Sequence, residues 1–186
     1  MLRQNREEEL TSYNYGFGDK SEKEECSIDM DIKGESAETL SVELRACNAV
    51  TRNGFHILFT KELYGDFTPK CTLKDIEIDL STRQVACILL TVNPYKMLPV
   101  GVPDPETTPL HHPYVLPEVT LQLVLEQNLN KAFLEGNSIV AGKVIVDGGS
   151  FSIDSDYIPA IQRINCSERA MHALENMTET LERIHS

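Results

Sequence analysis

Tryptophan is absent from the 186 residues, and aromatic residues make up only 6%. Sugar sites stack flat rings against the ligand, so this scarcity counts against a carbohydrate-binding surface. Positive charge is also scarce. There are 17 Lys and Arg against 29 Asp and Glu, a formal net charge of −12. Nucleic acid and anionic membrane both need clustered cations, so neither is expected as the main partner. The acid is uneven: residues 1–44 hold twelve Asp and Glu against five Lys and Arg. No apolar run is long enough to span a bilayer. The longest, Val85 to Val92, is far too short, so no direct membrane insertion is expected. The N-terminal ten residues are charged throughout, unlike a secretory leader. The five cysteines, Cys26, Cys47, Cys71, Cys87 and Cys166, are odd in number and show no CxxC spacing. Free thiols in a reducing, cytoplasmic protein are the expectation. Two Asn-x-Ser/Thr matches, at Asn165 and Asn176, carry no weight without a secretory route.

What the chain does have is proline in one place. Seven of nine prolines (Pro94, Pro99, Pro103, Pro105, Pro109, Pro113 and Pro117) fall between Val92 and Glu126. Proline lacks a backbone N–H and fixes φ, which excludes helix or central strand. A long, stiff connection over the edge or end of a sheet is predicted there. Around it the pattern is β. Ile28, Met30 and Ile32 alternate with polar residues, as do Leu40, Val42, Leu44 and Ala46. Asn53-Gly54 is a strong hairpin signal leading to Phe55, Ile57 and Phe59. Ile76, Ile78 and Leu80 predict a further strand. Val85 to Val92 is apolar on both faces, as in the centre of a sheet. Val115, Val119, Leu121, Leu123 and Leu125 lie on one face of another predicted strand. Residues 139–146 and Phe151 to Ile153 flank an Asp147-Gly148-Gly149 turn. Eight or nine short strands predict a mainly β fold, an antiparallel β-sandwich or jelly-roll-like domain.

The pattern changes after Tyr157-Ile158-Pro159. Asn165 is a fair N-cap with Glu168 three residues on. Ala170, Leu174, Met177, Leu181 and Ile184 then recur at spacings of 4, 3, 4 and 3. That two-in-seven stripe predicts a C-terminal amphipathic, coiled-coil-like helix whose seam is an association surface. The alternative is a helix lying on its own domain. No Gly or Pro stops the helix, so it is expected to continue in an intact parent protein.

Signatures of chemistry are missing. Adjacent His111 and His112 on an extended segment point to opposite faces and cannot easily share a metal. A third ligand would have to come from Asp104 or Glu106. There is no GxSxG elbow and no HExxH. Gly148-Gly149 precedes no helix, so it is a turn rather than a phosphate loop. The acidic stretches 19–25 and 29–31 lack the spacing of a calcium loop. His56 suits the solvent face of a strand, and Cys47 and Cys87 suit the core. No catalytic, metal or cofactor site is expected.

Four stretches together are similar to one family. Ser12-Tyr13-Asn14-Tyr15-Gly16 resembles a "YGL" segment. Leu44 to Gly54 resembles a "c-A-v-T-x-x-G" strand and hairpin. Leu98-Pro99-Val100-Gly101 with Pro109 to Pro117 resembles a "P-V-G…P…P" crossing. Tyr157-Ile158-Pro159 resembles the entry to a helical neck. The family is TssK, the baseplate subunit of bacterial type VI secretion, in its Bacteroidetes-like version. The resemblance implies a β-sandwich shoulder like that of siphophage receptor-binding proteins, a helical neck and a C-terminal head. It also implies a homotrimer in the intact protein and docking onto baseplate wedge proteins of the TssF and TssG kind. Most of the family's N-terminal segment and its head have no counterpart here, so a fragment is expected. The implied layout is a helix end or polar tail at 1–12, a shoulder at 13–159 and the start of a neck at 160–186. A ligand- or carbohydrate-binding sandwich, with the proline crossing and Tyr13 to Phe17 forming a groove, is the alternative. A phage fibre or receptor-binding adaptor is a third reading.

Overall fold

A computed structural model of the protein describes residues 15–18, 28–106, 108–109, 111–130 and 136–185. Among these, nine strands form two antiparallel sheets and one long helix follows. The first sheet holds β1 (Gly16–Phe17), β2 (Ile28–Lys33), β3 (Ser41–Val50), β4 (His56–Thr60) and β5 (Lys70–Thr72). Strand β3 is its spine: β2 runs along one edge, and β1, β4 and β5 pair with it too. The second sheet has the order β7 (Tyr114–Leu125), β6 (Gln84–Val100), β8 (Ser138–Asp147) and β9 (Ser150–Ile153). The short helix α1 (Lys61–Tyr64) and the long helix α2 (Glu168–His185) complete the elements. The architecture is a β-sandwich with a C-terminal helix.

The core is built from alternation. In β3, Val42 and Leu44 point inward, and in β6 Ala86, Ile88, Leu90 and Val92 do the same. Strand β7 adds Val119, Leu121 and Leu123, and β8 adds Val144 and Val146. The two-faced apolar run of β6 also proves central. Its other face, Cys87 and Leu89, is fully buried in a second small cluster with Val140, covered by Val124, Leu129 and Tyr157. Along the edge, Tyr64 stacks on Phe59 with ring centroids 4.8 Å apart. Its hydroxyl donates to Pro117 O at 2.8 Å, tying the end of α1 to β7.

Four expectations are corrected. The proline stretch is less of a loop than its composition predicts. Strand β6 runs on through Pro94 and Pro99, and β7 starts at Tyr114. Beyond Thr91, β6 pairs with β7 alone, so each proline lies where one edge is free, and the register shifts between Asn93 and Met97. Residues 76–80 are not a strand. Ile76, Ile78 and Leu80 pack on the core, but the Asp79 carboxylate accepts from Ser81 N and Oγ and folds the backbone into a turn. The turn of the β8–β9 hairpin docks there instead, with Gly149 N donating to Leu80 O. The Asn53-Gly54 turn is wider than a two-residue hairpin: Thr51 N donates to Phe55 O, and Asn53 keeps a negative φ. Finally, Asn165 sits in a 3-10 turn, Ile164–Cys166, and Ser167 caps α2 by accepting from Ala170 N at 3.3 Å. Strand β5, three residues long, is too short for a period to be seen in the sequence.

Candidate functional site

Helix α2 carries the predicted stripe. Ser167 caps it, Glu168 lies in its first turn, and Arg183 and His185 lie in its last, all favourable to the helix dipole. Its root is fastened. Arg169 Nη1 donates to Tyr157 O at 3.2 Å, and Cys166, the last residue of the preceding 3-10 turn, is buried. From there the apolar side chains become steadily barer. Ala170 is half-buried, Leu174 is 44% exposed, Met177 65%, Leu181 66% and Ile184 78%. No residue of α2 is buried. The alternative of a helix lying on its own sandwich is therefore not realised in this chain. Glu175, Glu179, Glu182 and Arg183 lie off the stripe, and His172 Nδ1 approaches Glu175 Oε2 at 3.4 Å. A row of large apolar side chains bounded by charge on an exposed helix has the chemistry of an unfilled helix–helix seam.

The segment leading into α2 is held by a device the sequence did not disclose. Phe17 N donates to Ala160 O and Gln162 N donates to Phe17 O, both at 2.9 Å, with Gln162 Nε2 on Gly16 O at 3.3 Å. Residues 160–162 thus run parallel to β1 and extend the first sheet. Gly16 has φ +123°, and a Cβ there would stand 2.5 Å from the Ala160 backbone. Gly16, the end of one stretch that resembled the family, thus lies against the residues that directly follow another, Tyr157-Ile158-Pro159. A two-residue strand is too short for periodicity to reveal. A third, Thr51, is a fully buried turn residue whose hydroxyl accepts from Phe55 N at 3.1 Å.

The other candidates hold no chemistry of their own. His112 Nδ1 lies 3.1 Å from Gly101 O, and the His111 carbonyl accepts from Asp104 N at 2.9 Å. Among the described residues no group of three His, Cys, Asp or Glu could hold a metal ion. His56 Nε2 lies 2.7 Å from Asn48 Oδ1. Asp31 lies between Lys33 and Arg45, each at 2.5 Å, and these partners lower its pKa. Cys47, Cys71, Cys87 and Cys166 are free and buried; burial pushes the Cys47, Cys71 and Cys87 thiols up, away from the reactive thiolate. Cys26, Tyr13 and the acidic stretch 19–25 lie outside the described residues, as does the predicted tail at 1–12. Phe17 is in the core rather than in a groove with the prolines. No described helix is long and apolar enough to cross a membrane.

No family model matches the sequence, and no curated protein does. Solved structures do resemble the fold. The structure described as "Crystal structure of TssK" superposes with a TM-score of 0.51 at 15% identity, over 98% of this chain and 43% of that one. The fold is TssK-like. TssK from T6SS EAEC in complex with nanobody nb18 superposes at 0.49 with 17% identity, over 99% of this chain and 58% of that chain. The chain therefore spans about half the length of the TssK chains it matches, and the likeness is one of fold.

Proposed function

We propose that the chain is a structural module of a type VI secretion baseplate, the shoulder and first neck helix of a TssK-like subunit. The observation that carries this reading is the bare apolar stripe on α2, projecting from a sandwich whose fold is TssK-like along 98% of its length. In this reading residues 13–159 are the shoulder and residues 160–186 the start of the neck. Ala170, Leu174, Met177, Leu181 and Ile184 pack against the same residues of two further copies. Three sandwiches, fixed to three helices by the Phe17–Ala160 pairing, then present one surface three times to wedge proteins of the TssF and TssG kind in the cytoplasm. Weak contacts add through effective concentration rather than through any one strong site. The role is mechanical, without catalysis or cofactor.

Sedimentation equilibrium over a wide concentration range tests the reading. The wild-type chain should move from monomer toward trimer, and the Leu174→Glu/Leu181→Glu double variant should remain a monomer with an unchanged circular dichroism spectrum. Equal masses for the two proteins at every concentration would remove the seam from the argument.

A further inference from the structure

The outer face of the second sheet carries a cavity of about 380 Å³ whose lining includes no residue of α2. Cys87 and Lys143 are register partners across β6 and β8, so both side chains stand on this face. The floor is apolar, formed by Cys87, Val140 and Leu129, with Ile158 and Pro159 of the segment before α2 as a wall. The rim is cationic. Lys143 Nζ lies 4.8 Å from the centre of the Tyr157 ring and 2.6 Å from Glu126 Oε1. Arg52 lies 4.5 Å above the Tyr15 ring and donates from Nη2 to the Tyr15 hydroxyl at 2.7 Å.

Two cations and one carboxylate leave a net charge of +1 around this cavity, in a chain whose own charge is −12. A hollow formed by chance on so acidic a protein would more often be negative. Stacking holds the Arg52 guanidinium in place, and only one of its five N–H donors is engaged by Tyr15. A fixed guanidinium is the group best suited to a carboxylate. The single net positive charge matches a single negative one better than a phosphate dianion. The volume lies in the range of clefts that take small molecules, roughly 300–1,000 Å³.

We propose that this cavity binds a small amphipathic monocarboxylate, with its apolar body on Cys87, Leu129 and Val140 and its carboxylate at the rim formed by Arg52 and Lys143. The proposal is independent of whether the chain associates.

The test is a titration of the ¹⁵N-labelled full chain with 4-phenylbutyrate, followed by amide shifts, beside the neutral 4-phenylbutyramide. Saturable shifts are expected at Cys87, Val140, Lys143, Tyr157, Ile158 and Ala160, with the neutral amide binding about tenfold more weakly. Arg52 is an exposed turn residue, so Arg52→Gln should leave the spectrum folded. It should weaken the carboxylate about tenfold and leave the amide unchanged. Three results would each overturn the proposal: no saturable shift at these positions up to about 10 mM, shifts centred elsewhere, or equal affinity for carboxylate and amide.

Discussion

Gly16→Ala is the sharpest perturbation the fold offers. The residue has φ +123°, where an L side chain is strained, and its new Cβ would lie 2.5 Å from Ala160 C and O and 2.7 Å from Ile161 N. These are backbone atoms that cannot swing aside. The strain alone costs about 1–3 kcal/mol. Relieving it by moving residues 160–162 away sacrifices the Phe17 N–Ala160 O and Gln162 N–Phe17 O bonds, each worth about 1 kcal/mol. The sum is about 3–5 kcal/mol, or a fall in melting temperature of roughly 6–20 °C for a domain of this size. Gly65→Ala is the control. Gly65 also has a positive φ, +64° with ψ −127°, but nothing lies within 4 Å of a Cβ there, so only the conformational part remains, about 1–3 kcal/mol. Urea denaturation gives the two costs. Amide exchange at Phe17 and Gln162 locates the damage: it should accelerate in Gly16→Ala and not in Gly65→Ala. If Gly16→Ala is no worse than Gly65→Ala, or if both amides stay protected, the close pairing of β1 with residues 160–162 is not what fixes the root of α2.

Leu90→Ala, at a fully buried centre of β6, should cost about 2–5 kcal/mol in urea denaturation, whereas Tyr95→Ala, 85% exposed, should change stability by less than about 0.5. Tyr64→Phe should cost about 1–2 kcal/mol by removing the hydrogen bond to the Pro117 carbonyl, measured the same way. Burial pushes the Tyr64 hydroxyl up to about 12 from its ordinary value of about 10. The folded state therefore keeps a proton that the unfolded chain releases, so this stabilisation is whole below about pH 10 and is lost as pH rises toward 12, at up to about 1.4 kcal/mol per pH unit. Denaturation at pH 9, 10 and 11 should show a shallower loss in Tyr64→Phe than in the wild type.

The sandwich was legible because strands such as β2, and β3 from Ser41 to Ala46, alternate apolar and polar residues. Val85 to Val92 announced a strand covered on both faces, and it proves to be the shared partner of β7 and β8. What was not legible depended on contacts distant in sequence or on side chains closing local turns. Nothing in Ile76, Ile78 and Leu80 says that Asp79 will turn the backbone away from pairing. Prolines speak against a central strand, but β6 meets that rule by having one neighbour instead of two beyond Thr91. Composition does not reveal how many neighbours a strand has. The stripe on α2 was plain from its spacing; its exposure was not, because the same spacing also suits a helix lying on a sheet.

That exposure sets how strong association through α2 can be. Leu174, Met177, Leu181 and Ile184 are between 44% and 78% exposed, so covering each would contribute on the order of 1–2 kcal/mol. Bringing copies together costs roughly 4–15 kcal/mol in lost freedom. The two are of the same order, so a seam of five turns would hold copies together only at concentrations of about micromolar to millimolar. A module assembled this way would be committed by its partners rather than by itself. Each wedge contact made by one sandwich would raise the effective concentration of the other helices, and the helices in turn would align the sandwiches. The Leu174→Glu/Leu181→Glu variant should then lose far more affinity for a wedge carrying several binding sites than for a single isolated site. Surface plasmon resonance at high and low ligand density measures the difference. An equal loss at both densities would mean that α2 meets the wedge directly instead of meeting its own copies.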